Sequence, residues 1–245
     1  MLTATLSRAE HSSVIFETEM AMAQPVRSWL HSQPCVSTVV DEINAGYGIA
    51  DMVAGEGTEA DLERRTNLVG AITNIHQLRL LLLANSDTTE AQLREWAPVA
   101  WPSLRGQAIE PLMSAGLLAK RTVGADTIYK ATVDVFDPFK GLMAIELKLR
   151  DWTRGVAQAT RYRMFAERAY LALPSKQIKD SSIAEARRNG IGLLAVHAES
   201  VDVVEEAPRQ VPFQASRRRR ASELMIQALA DVQHPRAGSP RGRTA

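Results

Sequence analysis

From Leu142 onward the chain alternates between two hydrophobic periods, and that alternation limits the available folds more than any other feature. MAIELKLR has the pattern of a strand, TRGVAQATRYRMFAE of a helix, RAYLALP of a strand, SIAEARRNG of a helix and IGLLAVHAES of a strand. VDVVEEA adds an edge strand. Strands and helices in alternation build a mixed or parallel sheet with helices packed on it, so the expected class is α/β. Upstream, Ile15, Met22, Val26 and Leu30 recur at helical spacing within residues 13–32 and define one apolar face. Pro25 falls inside that pattern and is expected to kink the helix. Val36–Ile43 and Ile49–Ala54 flank the turn residues Asn44-Ala45-Gly46 and read as a hairpin.

Between Gly55 and about Phe139 the character changes. A polar helical segment, EGTEADLERRTNLVGAITNIHQLRLLLLAN, comes first. A second helix, TTEAQLREWA, opens at Asp87-x-x-Glu90, which has the form of a capping box. A third runs from Ser103 to the stop signal Ala115-Gly116. Two short strands, LLAKR and TIYKAT, surround Val123-Gly124-Ala125-Asp126. Three helices and a two-stranded wing resemble a winged helix-turn-helix, and IEPLMSAGLLAK is similar to that family's passage from recognition helix into wing. Trp96 and Trp101 are expected in the core of this segment. The expected organisation is a discontinuous core over residues 13–56 and 138–210, an insertion over 70–133, and a basic, partly disordered tail over 211–245. That tail contains Arg217–Arg220, a short helix around Leu224–Val232 and the polar end QHPRAGSPRGRTA. The insertion is expected to leave and rejoin the core on adjacent strands, so that residues 60–137 are removable.

Three short patterns carry chemistry. In Ile145-Glu146-Leu147-Lys148-Leu149 the period of two sends Glu146 and Lys148 to one face and the aliphatic residues to the other. Alone, such a pair reads as a solvated strand face. Asp51 stands in the middle of the apolar strand Ile49-Ala50-Asp51-Met52-Val53. Asp disfavours strands and is costly to bury unless it binds something. The following helix carries Gln158-Ala159-Thr160-Arg161-Tyr162.

Asp51, Glu146-x-Lys148 and Gln158-x-x-x-Tyr162, in this order, resemble the PD-(D/E)XK nuclease superfamily and the Q-x-x-x-Y element of its RecB-like branch. The resemblance spans roughly residues 13–54 and 142–206. It implies a restriction-endonuclease-like mixed sheet flanked by helices, interrupted by an inserted α+β winged-helix domain. Two departures are present: Ala50 precedes Asp51 where Pro is common, and the separation of Asp51 from Glu146 is long for the family. The resemblance implies Mg²⁺ (or Mn²⁺) held by the carboxylates of Asp51 and Glu146, a donor set suited to hard cations, with the Leu147 carbonyl completing the shell. A bound metal would activate water, and Lys148 would orient or deprotonate it and stabilise the transition state. Glu19, between Ile15 and Met22 on the apolar face, is the candidate for a further acidic ligand from the N-terminal helix; Glu42 is a weaker one. Gln158 would touch metal-bound water, Lys148 or a phosphate, and Tyr162 would pack on Gln158 or a nucleotide.

The net charge of +1 names no partner, but residues 140–190 hold eleven Lys and Arg against five Asp and Glu. Arg154, Arg161 and Arg163 border the site helix, where phosphates would run. On the winged segment, Ser103, Arg105 and Gln107 would face a groove and Lys120, Arg121 and Lys130 would meet phosphates. The single cysteine, Cys35, excludes an internal disulfide framework and a four-cysteine metal site, fits a cytoplasmic protein, and is expected to be buried. No apolar run reaches the length of a membrane span, and MLTATLSRAEHSS lacks an export pattern. The histidines show no ligand spacing. The expected function is a metal-dependent deoxyribonuclease whose winged helix contributes substrate binding, with a homodimer among its expected states. The alternatives are a non-cleaving DNA-binding or regulatory protein, and a protein-interaction module in a defence or repair assembly.

Overall fold

The computed structural model describes residues 16–46 and 48–233. Ile15, Tyr47, the N-terminal run without an export pattern and residues 234–245 of the expected tail lie outside them. Helix α1 (Glu19–Ser32) starts where the Thr18 side chain accepts the Ala21 N–H at 3.2 Å. Met22, Val26 and Leu30 are fully buried, as their spacing requires. Pro25 joins that buried face, and the helix runs on through it. Strands β1 (Val36–Asn44) and β2 (Ile49–Gly57) pair antiparallel. Asn44 Oδ1 accepts the Gly46 N–H at 3.0 Å, and Gly46 takes the φ of 105° that this turn needs.

Gly57, at the end of β2, pairs with Phe139, so the chain leaves the sheet and rejoins it at one place. The intervening elements are α2 (Glu59–Leu68), α3 (Ile75–Leu83), β3 (Thr88–Thr89), α4 (Glu90–Trp96), α5 (Trp101–Leu104), α6 (Glu110–Ser114), β4 (Leu118–Val123) and β5 (Asp126–Ala131). A π-helical turn, Arg105–Ile109, joins α5 to α6. Helix α4 is capped by Thr89 and Gln92 rather than by Asp87: the Thr89 side chain accepts the Gln92 N–H, and Gln92 Oε1 accepts the Thr89 N–H at 2.8 Å. Thr89 wins because it lies immediately before the helix, whereas Asp87 pairs with Arg121 and Lys130. These elements surround a core of their own that includes Leu78, Leu81, Leu104, Leu112 and Tyr129, with Trp96 and Trp101 packed against it.

The chain then forms β6 (Phe139–Leu147), α7 (Trp152–Tyr162), β7 (Arg168–Pro174), α8 (Asp180–Arg188), β8 (Gly192–Val196), β9 (Val201–Glu205) and α9 (Ala215–Gln233). The result is a mixed α/β protein with a six-stranded sheet of order β1-β2-β6-β7-β8-β9 and a small three-stranded sheet of order β3-β5-β4. Strands β6, β7 and β8 run parallel to one another; the other neighbours in the large sheet are antiparallel. Helix α1 covers one face, through Met22, Val26 and Leu30 against Met52, Ile145 and Leu194. Val156, Ala159 and Tyr162 of α7, with Ala221, Met225 and Ile226 of α9, cover the other. Burial on both faces explains why the central strands read as continuous apolar runs. No helix among the described residues is long and apolar enough to cross a membrane.

Three expectations are corrected. Cys35 is exposed, in the left-handed region at φ 70°. Arg163 does not face a phosphate path: it donates to the Asn189 carbonyl at 2.6 Å and to Gln210, and lies over the Phe213 ring. The basic tail is a structural element. Arg217–Arg220 lie within α9, whose Arg218 and Arg219 are buried. Arg218 bonds Glu167 (2.7 Å), Asp137 (2.9 Å) and the Phe139 carbonyl (2.8 Å). Arg219 donates to the carbonyls of Val135 and Phe136. Glu223, fully buried, takes both Arg65 (2.7 Å) and the Ile72 N–H (2.9 Å). Helix α9 therefore grips both connections of the inserted segment, and the segment is not independent of the rest.

Candidate functional site

Met52 pairs with Ile145 across β2 and β6, a register that brings Asp51 level with Glu146. Directly opposed residues of an antiparallel pair face one side, so both carboxyls point toward α7. The ladder is bridged here by a side chain: Asp51 Oδ2 accepts the Leu147 N–H at 2.6 Å. Strand β6 ends at Leu147, so Lys148 lies just past it rather than within it. Its ammonium nevertheless reaches Glu146 Oε1 at 2.7 Å, the Leu147 carbonyl at 3.1 Å and Glu19 Oε2 at 3.6 Å. One cation thus already rests among three oxygens.

Glu146 is 1% exposed. A carboxylate so deep needs partners on both oxygens, and the second is supplied by Tyr162, whose hydroxyl reaches Glu146 Oε2 and the Ile49 carbonyl (2.6 Å). Its single proton serves one of these at a time. Burial, followed by the charges of Glu146 and Asp51, pushes the Tyr162 phenol well up, so it remains a donor. Fully buried, Tyr162 cannot stack on a nucleotide; the expectation that it binds nucleic acid is corrected to an anchor for Glu146. Removing the donor of a hydrogen bond to a buried carboxylate costs about 1–3 kcal/mol. Tyr162→Phe should lower stability by about that amount, measured by denaturant unfolding.

Asp51 is raised to about 6, first by burial and then by the charges of Glu146 and Glu19; the Leu147 N–H and Lys148 oppose the rise. Burial disfavours the Lys148 ammonium, but the hydrogen bond and charge of Glu146, with Glu19 and Asp51, outweigh it and the pKa is raised. The cluster is a crowded negative site held by one ammonium. Glu19, expected on the inward face, is the first residue of α1 and 45% exposed; it stands at the rim, its Oε1 3.4 Å from the Leu149 N–H. Glu42 is exposed on β1. Gln158 is half-buried one turn before Tyr162, and its Oε1 is enclosed without a hydrogen-bond partner. It does not accept from Lys148.

Arg154 and Arg161 are exposed on α7 and form no salt bridge among the described residues. On the inserted segment Arg105, Gln107, Lys120, Arg121 and Lys130 are exposed. Arg105 pairs with Glu110 at 3.1 Å, Arg121 pairs with Asp87, and Lys130 lies 3.6 Å from Asp87. Of the three charges expected to meet phosphates on this segment, Arg121 and Lys130 thus share the one carboxylate of Asp87. Sequence reading missed Leu147 as the N–H partner of Asp51, because that contact joins residues 96 apart.

The donors near Lys148 are all oxygens, which suits a hard cation. Among the described residues no three His, Cys, Asp or Glu side chains stand close enough to share a metal. Any metal here would have the carboxylates of Asp51 and Glu146 and the Leu147 carbonyl, with water for the rest. No family model matches the chain, and no curated protein matches it. Among solved structures it is similar to the "SPO1766 protein of unknown function from Silicibacter pomeroyi", at 16% identity, over 53% of this chain and 89% of that one, with a TM-score of 0.31. A likeness at that level carries no argument.

Proposed function

We propose that this chain is a metal-dependent nuclease of PD-(D/E)XK type acting on DNA. The observation that carries the reading is the convergence of Asp51, Glu146 and Lys148 beside the Leu147 carbonyl, joined by a 2.6 Å bond between Asp51 and the Leu147 N–H across a separation of 96 residues. The donor set fits Mg²⁺ or Mn²⁺, and the resting place of the Lys148 ammonium is one where positive charge is stabilised. A bound ion would neutralise charge at the phosphate and lower the pKa of water. Asp51 and Glu146 would hold it, with Glu146 fixed by Tyr162. Lys148, released from Glu146, turns to the attacking water and the phosphate oxygens. Arg154 and Arg161 bind the flanking phosphates, and the enclosed Gln158 acceptor waits for a donor that water or substrate brings.

The test is incubation with linear, circular, single- and double-stranded DNA, and with RNA, in Mg²⁺, Mn²⁺ or EDTA. Cleavage of DNA that EDTA abolishes is expected. Intact substrates throughout would reject the reading. Asp51→Asn should lose cleavage together with Mn²⁺ binding, measured by calorimetry; lost cleavage with unchanged binding would remove Asp51 from the metal.

In this reading residues 70–133 form an inserted winged helix. Its pairing of Arg105 with Glu110 and of Arg121 and Lys130 with Asp87 favours a second reading for that face, a protein contact rather than a phosphate contact. Each phosphate neutralised lowers the slope of log affinity against log salt by about 0.9. If the face binds DNA, the triple change Lys120→Ala, Arg121→Ala and Lys130→Ala should flatten that slope by roughly 2–3. An unchanged slope assigns the face to a protein partner.

A further inference from the structure

Glycine is among the poorest helix formers, yet α7 carries Gly155 on its buried face, four residues into the helix. A Cβ at this position would stand 2.6 Å from Leu171 Cδ1 and 2.9 Å from Lys148 Cγ. Two different neighbours thus occupy the space a side chain would take. Leu171 is fully buried in the middle of β7, part of the core that α7 covers. Lys148 is different: it follows the last residue of β6, its N–H still bonded to the Ala172 carbonyl at 3.0 Å, and its long side chain must carry a charge to one acceptor. Its stem passes along α7 at Gly155 and is only 14% exposed, although its ammonium must reach Glu146 Oε1. A four-carbon side chain has many rotamers, and one held by walls loses fewer of them when it acts.

We infer that Gly155 is a positioning residue for Lys148: the missing side chain is the slot that seats the lysine stem and delivers its ammonium to Glu146 and the Leu147 carbonyl. The inference rests on the nuclease reading for its effect on rate, but not for its effect on Lys148 itself. A displacement of about 1 Å at a reacting group can cost on the order of 100-fold. Gly155→Ala should accordingly lower kcat about 10–100-fold while KM and DNA affinity stay within about twofold.

The measurement that separates positioning from plain packing is the rate of reductive methylation at Lys148, followed by mass spectrometry in the absence of metal. Leu171→Ala removes the nearer of the two contacts and lets α7 settle onto the sheet. In Gly155→Ala/Leu171→Ala the lysine is then the neighbour that must yield. Lys148 should be methylated severalfold faster in this double variant than in Leu171→Ala alone. Equal rates would overturn the inference and leave Gly155 as a spacer between α7 and β7. If the double variant does not fold, the comparison moves to thermal melting in a Lys148→Ala background. There Gly155→Ala should lower Tm less than it does in the wild type, and an equal loss in both backgrounds overturns the inference. Absence of cleavage by the wild type on every substrate rejects the nuclease reading, while the methylation rates still decide the role of Gly155.

Discussion

Under the proposed nuclease function, Lys148→Ala should slow phosphodiester cleavage by about 10²–10⁴-fold, the range carried by a positioned acid–base group, and leave DNA affinity nearly unchanged. At rest Lys148 is 14% exposed and turned onto Glu146 at 2.7 Å, and in the proposed reaction it leaves that carboxylate only for the chemical step. Its contribution should therefore appear in the transition state and not in ground-state binding. Cleavage under single-turnover conditions and gel shift in EDTA measure the two separately. The substitution also strips Glu146, 1% exposed, of one of its two partners. Rates must accordingly be taken at a temperature where circular dichroism shows a folded protein. Wild-type rates would reduce Lys148 to a counter-ion of Glu146 and sink its catalytic role.

Arg65→Met should destabilise the whole protein by about 3–5 kcal/mol, the cost of leaving one partner of a buried ion pair behind. Arg65 and Glu223 have side chains with no exposure and meet at 2.7 Å. Arg219, 3.5 Å from Glu223, already donates to the Val135 and Phe136 carbonyls and cannot replace the lost fork. At roughly 2–4 °C per kcal/mol for a chain of this size, Tm should fall by roughly 6–20 °C. Arg188→Ala removes an exposed pair with Glu185 and should change stability by less than about 1 kcal/mol. Equal effects of the two changes would show that the buried network contributes nothing special. The same network revises the expectation that residues 60–137 can be excised. Their removal takes Arg65 and the Ile72 N–H from Glu223 and the Val135 and Phe136 carbonyls from Arg219, while Arg218 loses Asp137 but keeps Glu167 and the Phe139 carbonyl. A truncated core should be insoluble unless Arg219 and Glu223 of α9 are replaced by apolar residues.

What was legible in the sequence is what short-range periodicity encodes. The alternation from Leu142 to Glu205 marked β6 through β9 because a strand and a helix bury different spacings of residues, and each pattern is complete within about ten residues. The hairpin was legible for the same reason, as was the common side of Glu146 and Lys148. Element ends were less so: β6 stops at Leu147 and α4 starts at Glu90 behind its cap Thr89, because strand pairing and capping choose among neighbours of similar propensity.

The sequence by itself determined the α/β class, the order of strands and helices between Leu142 and Glu205, and the candidate residues Asp51, Glu146 and Lys148; the expected two-stranded wing is a three-stranded sheet, because the short β3 has no periodicity to mark it. Tertiary structure alone decided what those groups and the arginines do. Arg217–Arg220 were expected in a basic, partly disordered tail because like charges in sequence repel, and a single acid, Glu223, stands within a helical turn of them. The acids of Arg218 come from afar: Glu167 lies 51 residues from it, and Asp137 lies 81 residues from it. Likewise Tyr162 is a Glu146 anchor rather than a nucleotide platform because α7 packs on β6 and β7 and buries it. Charge on a side chain is written in the sequence, but its burial and its partner are properties of distance in space, which contacts across tens of residues set and no local pattern records.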